Sequence, residues 1–114
     1  MLKLSKDFLQ KTVNVVIDRP MGSIHPKFKN IVYALNYGYV PDTVSGDGED
    51  IDAYILGVDE PLEHFTGVCI AYLKRKTEND DKLIIAPAGV NFSDDEIWEK
   101  IKFQKQFFKS ILFR

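Results

Sequence analysis

The chain predicts a mainly β domain of α+β type: a small, strongly bent sheet or barrel with an α-helix near its C-terminal end. Three observations carry this. Short runs rich in β-branched and aromatic residues recur between turn residues, about five times over. A helical period of about 3.6 emerges only after Ser93. The length of 114 residues, 45% of them hydrophobic, suits one domain with a real core and no linker or repeat. Periodicity alone leaves a closed barrel and an open antiparallel sheet both available.

Residues 1–11 are amphipathic but short, and read as a brief helix or an irregular arm. Thr12 to Ile17, with Val13, Val15, Val16 and Ile17, reads as a strand ended by Asp18-Arg19-Pro20. Met21 to Pro26 is a loop, followed by short strands at Phe28 to Tyr33 and at Tyr37 to Val40, the second stopped by Pro41. Ile51 to Gly57 and Thr66 to Lys74 are strands, and Lys82 to Ala86 pairs back on the latter as a hairpin. Ser93-Asp94-Asp95-Glu96 is a capping box. Its helix is expected to run from 94 to the chain end, with Ile97, Ile101, Phe108, Ile111 and Leu112 on one face and Trp98 packing it to the sheet.

Net charge is −2, so no global basic field exists to hold nucleic acid. The single cysteine, Cys69, sits in an apolar run and reads as a core residue. No stretch approaches membrane-spanning length and no signal-like apolar region opens the chain, so a cytoplasmic protein is expected.

The chemistry concentrates between 36 and 54. Asn36-Tyr37-Gly38-Tyr39 leads to Gly46-Asp47-Gly48-Glu49-Asp50-Ile51-Asp52, four carboxylates within six positions and a glycine on each side of Asp47. A turn feeding a strand can point such carboxylates at one spot, and like charges that close stay ionised only around a cation. Hard divalent ions, Mg²⁺ above all, meet that need. An EF-hand does not fit, because the sixth position from Asp47 is Asp52 rather than glycine. The bland alternatives are a solvated acidic loop and a single-ion calcium turn.

These residues resemble the signature of the family I soluble inorganic pyrophosphatases, whose motif has the form Asp-Gly-Asp-Pro-hydrophobic-Asp after an Asn-Tyr-Gly-Tyr stretch. Val16-Ile17-Asp18-Arg19-Pro20, Pro26-Lys27-Phe28, Asp80-Asp81-Lys82-Leu83 and Phe108-Lys109 are similar, in order, to further family segments across residues 13–113. The resemblance implies a five-stranded OB-like barrel with a C-terminal α-helix. It implies Mg²⁺, with Mn²⁺ as a substitute, held by Asp47, Glu49, Asp52 and Asp80. Lys27, Tyr33, Tyr37, Lys82 and Lys109 would bind the phosphates. Glu49 and Asp52 would orient the attacking water, with Tyr37 and Lys109 completing the catalytic set. Asp18 stands where the family has a glutamate at the rim.

The chain departs from that pattern in several places. Glu49 replaces an aspartate, Asp50 a proline, Lys29 a metal-binding glutamate and Phe108 a tyrosine. The hairpin that carries a phosphate-binding arginine is missing between Lys29 and Tyr33. The function implied is Mg²⁺-dependent hydrolysis of pyrophosphate to two phosphates by a metal-activated water. The alternatives are hydrolysis of another small phosphoanhydride or phosphate ester, or a non-catalytic module that binds metal and phosphate. The partner expected is a small molecule, not nucleic acid or membrane, and exposed strand edges make a homo-oligomer an option. His25 and His64 receive no role.

Overall fold

Alternation along Thr12–Arg19 (β1) sets the scheme for the whole molecule. Val13, Val15 and Ile17 are buried while Thr12, Asn14 and Asp18 are exposed, so one face of the strand looks into a core. The computed structural model describes residues 5–43, 50–75, 81–102 and 110–114. After a 3-10 turn at Ser5–Phe8 and β1 come β2 (Asn36–Val40), β3 (Ile51–Ile55), β4 (His64–Arg75), β5 (Lys82–Ala86), α1 (Asp94–Ile101) and β6 (Ser110–Phe113).

The strands lie in the order β1-β2-β3-β5-β4-β6, and β4 returns to pair with β1. That return closes β1, β2, β3, β5 and β4 into a five-stranded barrel. The long β4 makes closure possible. Its first half pairs with β1 from His64 to Val68, its second half with β6 from Tyr72 to Arg75, and its other edge with β5. Breaks in register between Ile17 and Arg19 and between Cys69 and Ala71 add the local bend that a tight barrel needs.

Two cores result. Inside the barrel lie Val13, Val15, Ile17, Val40, Ile51, Ala53, Ile55, Cys69, Leu83 and Ile85. Outside, Tyr54, Leu56, Ile84 and Leu73 meet Ile97 and Ile101 of α1, with Trp98 packed beside them. Both helix isoleucines are fully buried, and burial of each contributes about 1.5–3 kcal/mol. Ser93 caps the helix as expected: its Oγ accepts from the Glu96 amide at 3.1 Å, while the Glu96 carboxylate accepts from the Ser93 amide at 2.9 Å. Hydrogen bonds from the Ser93 amide and then the Ser93 side chain hold the Glu96 carboxyl below its ordinary pKa.

Three expectations need correction. The helix does not run from 94 to the end; it stops at Ile101, and Ser110–Phe113 is a strand on β4. Ile111 and Leu112 thus serve a ladder, with Leu112 opposite Leu73 and the Phe113 ring stacked on Tyr72 at 5.0 Å. The sheet is not wholly antiparallel, because β3 and β5 run parallel, with Asp52 opposite Lys82. A parallel pair needs a long crossover, and β4 supplies it. Phe28 to Tyr33 is not a strand but part of a loop fastened by one bridge, Ile24 to Val32. Among the described residues, no helix is long and apolar enough to cross a membrane.

Candidate active site

The site grows out of strand alternation on the outer face of the barrel. In β2, Asn36, Gly38 and Val40 are buried, which turns Tyr37 and Tyr39 outward. In β3, Asp52 lies opposite Tyr39 and Tyr54 opposite Tyr37. In β5, Lys82 lies opposite Asp52. Three neighbouring strands therefore bring a phenol, a carboxylate and an ammonium to one spot.

Their contacts are short. The Tyr37 hydroxyl donates to Asp52 Oδ2 at 2.7 Å. Lys82 Nζ donates to the same oxygen at 2.6 Å and to the Tyr37 oxygen at 3.0 Å. The Lys82 side chain is only 5% exposed, against 29% for Asp52. An ammonium that deep is tolerable only when charge-paired and hydrogen-bonded, and both conditions hold here. Both donors converge on Oδ2, so the carboxylate is fixed through that one oxygen.

Asp18, next to the register break in β1, belongs to the same region. Desolvation raises its pKa above the ordinary 3.8, and the negative charge of Asp52 pushes the same way, against the pull of Arg19. Beneath the site lies a run of rings. Tyr54 is 4.8 Å from Tyr37, Tyr33 is 5.6 Å from Tyr37, and His25 stacks on Tyr33 at 6.0 Å.

Of the residues singled out from sequence, the structure brings together Tyr37, Asp52 and Lys82, with Tyr33 buried beside them. Lys27 is exposed on the loop whose His25 packs on Tyr33, and Tyr33 in turn on Tyr37. Asp47, Glu49, Asp80 and Lys109, together with Phe108, lie outside the described residues. Among the described residues, no three His, Cys, Asp or Glu side chains gather where a metal ion could be held. The donor chemistry present fits a hard divalent cation: a carboxylate oxygen donor in Asp52, held in place by its contacts with Lys82 and Tyr37.

Two residues carry more than the sequence suggested. Asn36 is fully buried; its Oδ1 accepts from the Met21 and Leu62 amides at 2.9 and 3.0 Å, and its Nδ2 donates to the Glu60 carbonyl at 2.8 Å. It ties two loops to the strand that carries Tyr37. His25 Nδ1 accepts from the amides of Lys27 and Phe28 at 3.0 and 3.1 Å. The signal for both was local: a polar residue just before Tyr37, and an acceptor two positions before Lys27. Cys69 is buried as expected, and burial pushes its thiol up to about 11.

The inorganic pyrophosphatase family model matches residues 8–112. An inorganic pyrophosphatase of Xylella fastidiosa (strain 9a5c) is 29% identical over 108 residues, covering 75% of this chain and 59% of its own length. That of Saccharolobus solfataricus is 26% identical over 94 residues, covering 66% of this chain and 55% of its own. The chain thus spans less than two thirds of the length of these curated relatives. Among solved structures, an inorganic pyrophosphatase from Ehrlichia chaffeensis superposes with a TM-score of 0.68 at 17% identity, covering 93% of this chain and 86% of that one. One from Neisseria gonorrhoeae gives 0.64 at 20% identity, covering 84% and 73%. At such identities the structural likeness is one of fold.

Proposed function

Because the chain belongs to the inorganic pyrophosphatase family, we propose that it hydrolyses inorganic pyrophosphate to two phosphates with the help of divalent metal, Mg²⁺ by preference. The observation that carries the reading is the meeting of Tyr37, Asp52 and Lys82 on three adjacent strands. A carboxylate and an ammonium held together are what a site for a metal-complexed polyanion requires.

In this reading Asp52 is a metal ligand, joined by Asp47, Glu49 and Asp80. The register supports the grouping. The first of these segments leads directly into β3 and the last into β5, and those strands start side by side because they run parallel. Divalent ions at such a site would neutralise the substrate and acidify a bound water. Lys82 and Tyr37 orient the Asp52 carboxylate through Oδ2. Lys82, Tyr37 and Tyr33 also form the wall for phosphoryl oxygens, with Lys27 and Lys109 adding positive charge. Glu49 or Asp52 would orient the attacking water.

The test is phosphate release from pyrophosphate by the purified protein with Mg²⁺. Wild type should exceed a metal-only blank, and Asp52→Asn should lower the rate by roughly 10²-fold or more while leaving the circular dichroism spectrum unchanged. Turnover no higher than the blank would rule the proposal out. Tight calorimetric binding of metal and phosphate without turnover would point to a binding module instead.

A further inference from the structure

The proposed function uses Lys27 but leaves His25 idle, and His25 is the residue that shapes the backbone of Lys27. The loop from 20 to 35 closes on itself through main-chain bonds. The Gly22 amide donates to the Tyr33 carbonyl at 2.8 Å, Tyr33 to Ser23 at 2.9 Å, His25 to Ile31 at 2.9 Å and Ile31 to Phe28 at 2.8 Å. Inside this frame His25 does two separate things. Its ring stacks on buried Tyr33 with planes 6° apart, and Tyr33 in turn packs on Tyr37 of the site. Its Nδ1 accepts two successive amides, those of Lys27 and Phe28. Accepting from residues two and three positions ahead is the geometry that an asparagine or serine oxygen supplies in a side-chain-capped turn. Only the neutral ring with its proton on Nε2 can do it.

We propose that His25 is a positioning residue for substrate binding: its Nδ1 holds the Lys27 turn in one conformation, and its ring fastens that turn to the tyrosine stack under the Tyr37–Asp52–Lys82 cluster. The assignment rests on the pyrophosphatase reading of the site. Lys27 is exposed. An exposed lysine on an unfixed loop gives up much conformational freedom each time it binds, and a preformed turn removes part of that cost. The effect belongs in substrate affinity rather than in the chemical step.

Two variants separate the roles. His25→Phe keeps a ring against Tyr33 and removes the acceptor. His25→Asn removes the ring and restores an acceptor at similar reach. Steady-state phosphate release is measured for wild type, both variants, Lys27→Ala and the His25→Phe/Lys27→Ala double variant, each with a thermal melt to verify folding. His25→Phe should raise KM for magnesium pyrophosphate roughly tenfold with kcat little changed. His25→Asn should recover most of that loss. The double variant should be no worse than Lys27→Ala alone, since the turn acts through that lysine. A wild-type KM in His25→Phe, a matching fall in kcat, or losses that multiply in the double variant would each overturn the proposal. Absence of turnover in wild type would instead strike down the functional reading itself, and this assignment with it.

Discussion

Gly38 is where a single methyl group should do the most damage. It sits in β2 between Tyr37 and Tyr39, opposite Ile17 of β1. A Cβ placed there would stand 1.9 Å from the Val16 carbonyl oxygen, 2.8 Å from its carbon and 2.9 Å from Ile17 Cα. All three are backbone atoms of a paired strand, so no side chain can swing away to make room. β1 would have to retreat by more than an ångström, just where its register already breaks. Overpacking costs about 1–3 kcal/mol. Losing two ladder bonds adds roughly 1 kcal/mol each. Gly38→Ala should therefore destabilise the domain by about 3–5 kcal/mol, a large share of the roughly 5–15 kcal/mol a domain holds in total. At about 4–8 °C per kcal/mol for a chain of this size, the melting temperature should fall by more than about 12 °C. The assay is urea and thermal unfolding followed by far-ultraviolet circular dichroism. Gly22→Ala is the control: its φ is +88° with nothing within 4 Å of the added methyl, so it should cost only the left-handed backbone penalty of about 1–2 kcal/mol. A Gly38→Ala loss below about 1 kcal/mol at unchanged denaturant slope would refute the claim that close strand approach is what requires this glycine.

Two further outcomes follow from the same geometry. Tyr37→Phe and Lys82→Met each remove a donor to Asp52 Oδ2, so their effects on phosphate release should be coupled by about 0.5–3 kcal/mol in a double-mutant cycle; strict additivity would show that the two do not act through one carboxylate. Desolvation and the Asp52 charge raise the Asp18 pKa, so stability from this group is full below 3.8 and is lost as pH rises through the folded value. Asp18→Asn, melted without divalent metal, should therefore be more stable than wild type at neutral pH, with the gain vanishing at acid pH; a gain independent of pH would mean another cause.

Local features were legible and distant ones were not. The capping box at Ser93 and Glu96 was readable because all its partners lie within four residues. The end of the helix was not. Ile111 and Leu112 keep a helical period on paper, yet the open edge of β4 offers them a ladder, and cross-strand pairing overrides periodicity. The bridge at Ile24 to Val32 likewise replaced a strand because His25 and the main chain close that loop from within. The cluster is an intermediate case. Tyr37, Asp52 and Lys82 could be named from a resemblance, but their sharing of one carboxylate oxygen could not.

Taken alone, the amino-acid order determined most of the barrel strands, where the helix begins, and that acidic and aromatic residues cluster around one glycine-rich turn. These are properties of neighbours, set by sterics, period and capping within a few residues. Tertiary structure decided the rest. Parallel pairing of β3 with β5 set Lys82 opposite Asp52 across thirty positions of chain, closure through β4 turned a sheet into a barrel, and β6 took residues that the helical period claimed. Such pairings follow from which edges remain open once the first strands have met, and no local rule encodes that.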